Sequence, residues 1–140
     1  KEDQARLLNE ELSTISKTLK RNPKSYSGFH HRVWCIEHDE LHTIDLRKEL
    51  DLCSNFLALD SRNFHCWDYR RFIVSKAGIK LKEELKYSRQ LIEQNFSNYS
   101  AWHYRSTLIP LICKENRKKL RKRINSELEF VKNAFYTEPN

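Results

Sequence analysis

The stretch Arg62-Asn-Phe-His-Cys-Trp-Asp-Tyr-Arg70 decides the fold, because two other segments of the chain repeat its pattern without gaps. These segments are Lys24-Ser-Tyr-Ser-Gly-Phe-His-His-Arg32 and Ser97-Asn-Tyr-Ser-Ala-Trp-His-Tyr-Arg105. Each contains a polar residue with an aromatic residue directly after it, a second aromatic residue three positions later, and an arginine three positions further on. The arginines lie 70 − 32 = 38 and 105 − 70 = 35 residues apart, a period typical of helical repeats.

The equivalent positions of the three copies indicate what each residue type does. The polar residues are Ser25, Asn63 and Asn98, the first aromatics Tyr26, Phe64 and Tyr99, the second aromatics Phe29, Trp67 and Trp102, and the arginines Arg32, Arg70 and Arg105. Serine and asparagine are good helix N-caps, because the side-chain oxygen accepts a backbone N–H of the first turn. The second aromatic and the arginine share one helix face. We expect the second aromatics to be core wedges between hairpins, and the arginines to stack on aromatic rings or pair with carboxylates of a neighbouring helix.

The segments between the copies also have helical periodicity. Their apolar stripes are Leu46, Leu50, Cys53 and Leu57; Leu81, Leu85, Ser88 and Ile92, with one polar member; and Leu120, Ile124, Leu128, Val131 and Phe135. Strand-like alternation of useful length does not occur. The pattern predicts an all-α fold of six to seven helices, arranged as antiparallel hairpins stacked in a right-handed alpha-alpha superhelix (a solenoid).

The repeats also set the expected domain organisation. We predict a single helical-repeat domain over residues 1–140, with repeat motifs near 22–34, 61–74 and 96–109. The terminal Glu138-Pro139-Asn140 is similar to the opening of a further copy. Because the chain starts at Lys1 without a methionine, we expect it to be a piece of a longer protein, with exposed apolar patches at both ends of the repeat stack.

The chain is basic, with 26 lysines and arginines against 19 acidic residues and a net charge of +7. That charge permits an acidic partner, whether nucleic acid, membrane surface, phosphate-bearing ligand or protein, and selects none of them. Seven of the basic residues lie in the segment from Lys114 to Arg123. A segment rich in lysine and arginine can be a nuclear localisation signal or a nucleic-acid-binding patch. Since no aromatic residues interleave with it to stack on bases, a solvated loop and helix start is favoured, and nucleic acid is not expected as a partner.

The cysteines and the hydropathy pattern limit the location and the chemistry. None of the four cysteines, Cys35, Cys53, Cys66 and Cys113, forms a C-x-x-C pair, so we expect buried free thiols in a reducing compartment, the cytoplasm, and no metal site in this chain. The longest apolar run, Leu108 to Cys113, has six residues. About 20 are needed to span a bilayer, so membrane insertion is not expected.

The motif Asn-aromatic-x-x-Trp-x-x-Arg resembles the repeat of protein prenyltransferase alpha subunits. Longer runs are similar to the Rab geranylgeranyl (type-2) branch of that family. These are Asn22-Pro-Lys-Ser-Tyr26 with His30-His31-Arg32, then Arg62-Asn-Phe-His-Cys-Trp-Asp-Tyr-Arg-Arg-Phe72, and Asn95-Phe-Ser-Asn-Tyr99 followed by Trp102-His-Tyr-Arg-Ser106. The resemblance extends from about Leu7 onward. The alpha subunit of the farnesyl and geranylgeranyl type-I enzymes shares only the sparse repeat, and Phe29 departs from the family where a tryptophan is expected.

The resemblance implies a crescent-shaped alpha subunit that wraps a beta subunit, which carries the catalytic zinc and most of the isoprenoid pocket. It implies transfer of geranylgeranyl from geranylgeranyl diphosphate to C-terminal cysteines of Rab GTPases presented by an escort protein. No cofactor is expected in this chain, and the segment alone is expected to be inactive.

The same resemblance assigns roles to residues at the starts of the repeated helices. Lys24 is the implied catalytic residue, because the family has a lysine here that reaches the prenyl diphosphate. A positioned ammonium stabilises the charge that develops on the leaving diphosphate, and the positive end of a helix dipole also favours a nearby anion. Tyr26, on the same loop, could donate its hydroxyl to the same diphosphate or to the subunit interface, or else be a packed aromatic residue. Asn63 and His65, on the matching rim of the next repeat, are implied to contact the beta subunit, or else to be a helix cap and a surface histidine.

Two functions of other classes compete with the enzyme subunit. One is a helical scaffold that binds proteins without chemistry, which needs only the aromatic faces. The other is a basic solenoid that binds RNA, which needs a basic stripe across several repeats rather than one basic segment. His30, His31 and His103 lie beside the arginines without metal-ligand spacing, so we expect structural histidines.

Overall fold

The computed structural model describes residues 1–114 and 116–137, and this part of the chain contains seven α-helices and no β-strand. The helices are α1 (Glu2–Arg21), α2 (Tyr26–Glu37), α3 (Leu46–Leu59), α4 (Phe64–Lys76), α5 (Leu81–Gln94), α6 (Tyr99–Cys113) and α7 (Arg117–Thr137). The predicted all-α class and helix number are confirmed. The further repeat predicted to open at 138–140 lies outside the described residues.

The chain divides into two compact units, Lys1–Gly78 and Ile79–Asn140. In the first, α1 packs on α2, α3 packs on α4, and α2 also contacts α4. In the second, α5 packs on α6, and α6 packs on α7. A loop of four residues joins the two helices of each of the α1–α2, α3–α4 and α5–α6 pairs, as expected of antiparallel neighbours. The predicted hairpins are therefore present in each unit, whereas the single domain and the right-handed superhelix remain predictions.

The repeated polar residue caps the second helix of each hairpin, as predicted. Ser25 Oγ accepts the N–H of Gly28 at 3.2 Å, Asn63 Oδ1 accepts that of Cys66 at 3.2 Å, and Asn98 Oδ1 accepts that of Ala101 at 3.0 Å. A bond of this kind satisfies one of the donors that the first helical turn leaves without a partner. The caps fix where α2, α4 and α6 begin.

The repeated tryptophans are wedged into the hairpins and also donate hydrogen bonds. Trp67 is 3% exposed, and Trp102 is half-buried. The Trp67 indole N–H lies 2.9 Å from the carbonyl oxygen of Ser61, and that of Trp102 lies 2.8 Å from the carbonyl oxygen of Phe96. Each tryptophan thus ties its helix to the loop six residues earlier, which adds a polar role to the predicted packing role.

Phe29 occupies the corresponding position in α2, and its side chain has no N–H group to donate. It is buried and packs against Phe56 and Tyr69, with ring centroids 6.1 and 5.5 Å away. The carbonyl oxygen six residues before it, that of Pro23, instead accepts the side-chain amide of Asn63 at 2.6 Å. A residue of the second hairpin therefore supplies the bond that the phenylalanine cannot make.

The repeated arginines join the helices through buried polar contacts. Arg32, Arg70 and Arg105 are each less than 5% exposed, and each donates from Nη1 to a backbone carbonyl 20 residues earlier, that of Leu12, Leu50 or Leu85. A serine hydroxyl one turn further along the same helix accepts a second bond in each case. Two of the arginines also pair with carboxylates, Arg32 with Glu49 and Arg105 with Glu127. The predicted carboxylate pairing is confirmed for these two.

Helix α7 packs through a narrower face than its longest apolar stripe suggests. Phe130 and Ala134 are its buried residues, and Phe130 lies 5.2 Å from the Trp102 ring. The stripe residues Ile124, Leu128, Val131 and Phe135 are 41–83% exposed. They align with Leu81, Leu85, Ser88 and Ile92 of α5, which pack against α6. The stripe therefore marks the helix correctly but is not its packing face in this structure.

All four cysteines are buried free thiols, as predicted. Burial raises the pKa of the Cys35 thiol, and a hydrogen bond with the Cys66 thiol, together with burial, raises that of Cys53. A raised pKa keeps a thiol protonated and unreactive at neutral pH, so Cys35 and Cys53 act as small apolar core residues.

Candidate functional site

The loops that precede α2 and α4 bring four predicted site residues and Asp60 to one edge of the first unit. We call this group, Lys24, Tyr26, Asp60, Asn63 and His65, the Lys24 rim. Lys24 lies in the loop directly before the Ser25 cap, as expected. Its side chain is 68% exposed, and its Nζ is 3.0 Å from Oδ2 of Asp60. The lysine is therefore available to solvent and is held by a single carboxylate.

Tyr26 is the first residue of α2 and is 63% exposed. Its ring centroid lies 5.6 Å from that of His30 and 5.6 Å from that of His65. The tyrosine thus connects the start of α2 with the start of α4, and most of its surface remains free for contact with a ligand or a partner. This placement is compatible with the implied substrate-binding role, which stays a prediction.

Asn63 and His65 are near Lys24, but only one of them presents its side chain at the surface. Asn63 is 1% exposed, with its oxygen used as the α4 cap and its amide bonded to Pro23. Its side chain thus has no free polar group for a partner, and any part it takes in a beta-subunit interface is through the loop that it holds. His65 is half-buried beside Tyr26, and its interface role remains a prediction.

A cavity of about 170 Å³ lies behind the exposed edge of the rim, between α2 and α4. It is lined by Tyr26, Phe29, His30, Val33, His65, Asp68 and Tyr69. The walls are mainly aromatic, with two imidazole groups and one carboxylate. The cavity adjoins the position where Phe29 takes the place of the repeated tryptophan.

Asp60 is the residue of the rim that the sequence reasoning missed. The hydrogen bond from Lys24, together with one from the Arg62 backbone N–H, holds the pKa of the Asp60 carboxyl below its ordinary value. The side chain is one-third exposed, so the ion pair is partly screened by water. The sequence signal was a comparison of loops: Asn22 and Asn95 occupy the same position in the other two repeats.

The basic segment predicted to be solvated lies at the start of α7. Lys114, Arg117, Lys118, Lys119, Arg121 and Lys122 are exposed, and Arg123 is half-buried. Several of these side chains line a shallow cleft of about 300 Å³ with Lys82 of α5 and Cys113 of α6. The exposure of these side chains is as expected for a solvated segment.

Over residues 1–114 and 116–137, no group of three or more histidine, cysteine, aspartate or glutamate side chains is arranged to hold a metal ion. Among the same residues, no helix combines the length and the apolarity needed to cross a bilayer.

Comparison with known proteins matches the repeats to one family model. The model of the protein prenyltransferase alpha subunit repeat covers residues 8–39, 46–77 and 81–112, which correspond to the α1–α2, α3–α4 and α5–α6 hairpins. The geranylgeranyl transferase type-2 subunit alpha of Sus scrofa is 45% identical, and that of Homo sapiens 44%, each over 99% of this chain. The Candida albicans subunit of that name is 37% identical over 76% of this chain and 32% of its own length. This chain spans about a quarter (25%) of the two mammalian relatives.

Proposed function

Because the chain belongs to the protein prenyltransferase alpha subunit family, we propose that it is a segment of the alpha subunit of a Rab geranylgeranyltransferase, the type-2 enzyme. Identity of 44–45% over 99% of the chain to proteins named geranylgeranyl transferase type-2 subunit alpha supports this proposal. The activity, the substrates and the partners that follow are part of the same proposal.

The proposed reaction is transfer of a geranylgeranyl group from geranylgeranyl diphosphate to C-terminal cysteines of Rab GTPases, with an escort protein presenting the Rab. The beta subunit would hold the zinc ion, whose chemistry would be activation of the acceptor thiol, and would supply most of the isoprenoid pocket. The proposed location is the cytoplasm. The four buried free cysteines of this chain suit a reducing compartment of this kind, where Rab thiols also stay reduced.

Lys24 contributes charge to this shared active site. The bond between the isoprenoid carbon and the diphosphate oxygen breaks as the thiolate attacks, and negative charge accumulates on the departing diphosphate. The Lys24 ammonium lies on an exposed rim at the start of α2, where the helix dipole also favours an anion. A cation at this position interacts more strongly with the transition state than with the bound substrate, because the negative charge develops only as the bond breaks. Only such a difference lowers the activation barrier. Tyr26, two residues further on, can donate its hydroxyl to the same anion.

The observation that supports a beta-subunit interface is an exposed aromatic residue at the same position of each repeat. The first residues of α2, α4 and α6 are Tyr26, Phe64 and Tyr99, and they are 63%, 64% and 73% exposed. One exposed aromatic is ordinary, but the same position left uncovered in three repeats is unusual. Tyrosine and phenylalanine are enriched in protein interfaces, so these rings are the proposed contacts with the beta subunit.

The test is a transfer assay with the alpha subunit that contains this segment, mixed with its beta subunit and escort protein. Labelled geranylgeranyl should pass from its diphosphate to a Rab protein and should not pass to a short peptide acceptor with a C-terminal CaaX motif. The segment alone should transfer nothing to either acceptor. Modification of the CaaX peptide would instead support a type-I alpha subunit, and an absence of binding to any beta subunit would support a scaffold function.

A further inference from the structure

We infer that Asp60 is a positioning residue for Lys24, and that its carboxylate holds the lysine ammonium at the rim until a diphosphate group takes over the contact. The inference rests on the proposed function, because it assigns to Lys24 the contact with diphosphate. It adds a residue and a step: an exchange of partners at Lys24 that accompanies binding of the prenyl donor.

The contacts of Asp60 leave one oxygen for Lys24. Oδ1 accepts the backbone N–H of Arg62 at 2.9 Å, which fixes the carboxylate within its own turn. Oδ2 lies 3.0 Å from Nζ of Lys24. The fixed carboxylate therefore orients the flexible lysine, whose four-carbon stem otherwise samples many rotamers.

The other two repeats show that the turn does not require this charge. The residues that follow α1, α3 and α5 are Asn22, Asp60 and Asn95, and each ends its helix. Asn95 Oδ1 accepts the N–H of Ser97 at 3.0 Å, in the same way that Asp60 accepts that of Arg62. A negative charge is also unfavourable at a helix C-terminus, where the dipole is negative. An aspartate in the second repeat thus has an electrostatic cost that its turn does not explain, and Lys24 is the cation that it contacts.

A buried bond holds the two loops at a fixed distance from each other. The Asn63 side chain, 1% exposed, donates to the carbonyl oxygen of Pro23 at 2.6 Å. Pro23 directly precedes Lys24, and Asn63 lies three residues after Asp60. The backbones on either side of the ion pair are therefore tied together, so the pair can open by side-chain rotation without movement of the loops.

The strength of the ion pair suits an exchange of partners. The side chains of Lys24 and Asp60 are 68% and 33% exposed, and an exposed pair of this kind is weak because water screens it. A diphosphate presents several charged oxygens to the same ammonium, and such charge-assisted bonds are stronger than those to a single screened carboxylate. Arrival of the donor is therefore expected to displace Asp60 from Lys24.

The experiment is a double-mutant cycle in the heterodimer of the complete alpha subunit with its beta subunit. The variants are Asp60→Asn, which keeps the turn bond that Asn95 makes, Lys24→Ala, and the two combined. Two quantities are measured for each: the dissociation constant for geranylgeranyl diphosphate, with inorganic diphosphate as a competing probe, and the single-turnover rate of transfer at saturating donor. Circular dichroism of each variant verifies the helical fold.

Asp60→Asn should tighten donor binding by about two- to fivefold, the range of one exposed ion pair. With alanine at position 24, Asp60→Asn should not alter donor binding, because the carboxylate then has no lysine to compete for. An equal change in both backgrounds would overturn the inference, since it would show general repulsion between Asp60 and the donor, and so would no change in either. A normal rate in Lys24→Ala would instead contradict the proposed function.

Discussion

Arg32 and Glu49 form a buried, bidentate ion pair that joins α2 to α3. Arg32 Nη2 lies 2.6 Å from Glu49 Oε1, Arg32 Nε lies 2.9 Å from Oε2, and the two side chains are 2% and 8% exposed. The Tyr69 hydroxyl donates to the same carboxylate at 2.6 Å. Burial is the largest single influence on the pKa of Arg32 and lowers it, but the attractions and hydrogen bonds of Glu49 and Tyr69 together outweigh burial, and the net pKa is raised. The Arg32 guanidinium therefore stays charged despite its burial.

Removal of one partner of this pair should destabilise the fold strongly. Glu49→Ala should lower the free energy of unfolding by about 3–5 kcal/mol, because it leaves the Arg32 guanidinium buried without a counter-charge. Urea denaturation followed by circular dichroism measures the loss. Glu10→Ala is the matched control, since it breaks an exposed pair with Arg6 at 2.9 Å and should cost less than about 1 kcal/mol. Similar losses in the two variants would contradict the structural role of the buried pair.

The bond between Asn63 and Pro23 predicts a rescue experiment. Asn63→Ala should cost about 2–3 kcal/mol, since it removes both a helix cap and the donor to the Pro23 carbonyl. Phe29→Trp should return about 1 kcal/mol of that loss, because Trp67 and Trp102 donate to the equivalent carbonyls and a cavity of about 170 Å³ lies beside Phe29.

Thermal or urea unfolding of the single and double variants measures this coupling. Ser25→Ala is the control: it removes a cap and an exposed hydrogen bond with the Ser27 hydroxyl, and it should cost about 1 kcal/mol. If Phe29→Trp changes the free energy of unfolding equally in the parent chain and in the Asn63→Ala chain, the tryptophan does not replace the donor that Asn63 supplies.

The Lys24–Asp60 contact predicts a titration shift that can be read in the chain itself. The hydrogen bond from Lys24 lowers the pKa of Asp60, so the stabilisation from this contact is present above about pH 4 and is lost as pH falls through the lowered pKa. Carboxyl ¹³C NMR should show Asp60 titrating below its ordinary range, and Lys24→Ala should move the midpoint upward. Lys17→Ala should not move it. An unshifted Asp60 in the parent chain would mean that the ion pair does not persist in solution.

Local spacing was sufficient for the helices and caps, but not for the partners of the arginines. Ser25, Asn63 and Asn98 cap helices as their positions predict, because capping depends on residues within one turn. The carboxylate of Glu49 lies 17 residues from Arg32 in the chain, and glutamate is rarely buried unless paired. A signal did exist: besides a copy at 40–41 in the loop before α3, Glu-Leu recurs at 11–12, 49–50, 84–85 and 127–128, one copy in each of α1, α3, α5 and α7.

The candidate site was predicted in part, for a related reason. The resemblance pointed to Lys24 and Tyr26, and both lie exposed on one rim. The burial of Asn63 depends on Pro23, 40 residues earlier, which the motif of a single repeat does not contain. Asp60 was missed because its carboxylate acts on a lysine of another repeat, and only the comparison with Asn22 and Asn95 makes its charge conspicuous.

The proposed contribution of Lys24 to prenyl transfer can be measured as the single-turnover rate of the assembled heterodimer that carries Lys24→Ala. A charge-assisted contact is worth roughly 1.5–3 kcal/mol, and about 1.4 kcal/mol is tenfold in rate, so the predicted loss is on the order of 10- to 100-fold. Lys24→Arg should recover part of the rate, because the charge is kept while its geometry changes. Lys20→Ala, at an exposed lysine of α1, should have no effect. An unchanged rate in Lys24→Ala, with normal association of the subunits, would contradict the account and leave the chain a purely architectural role.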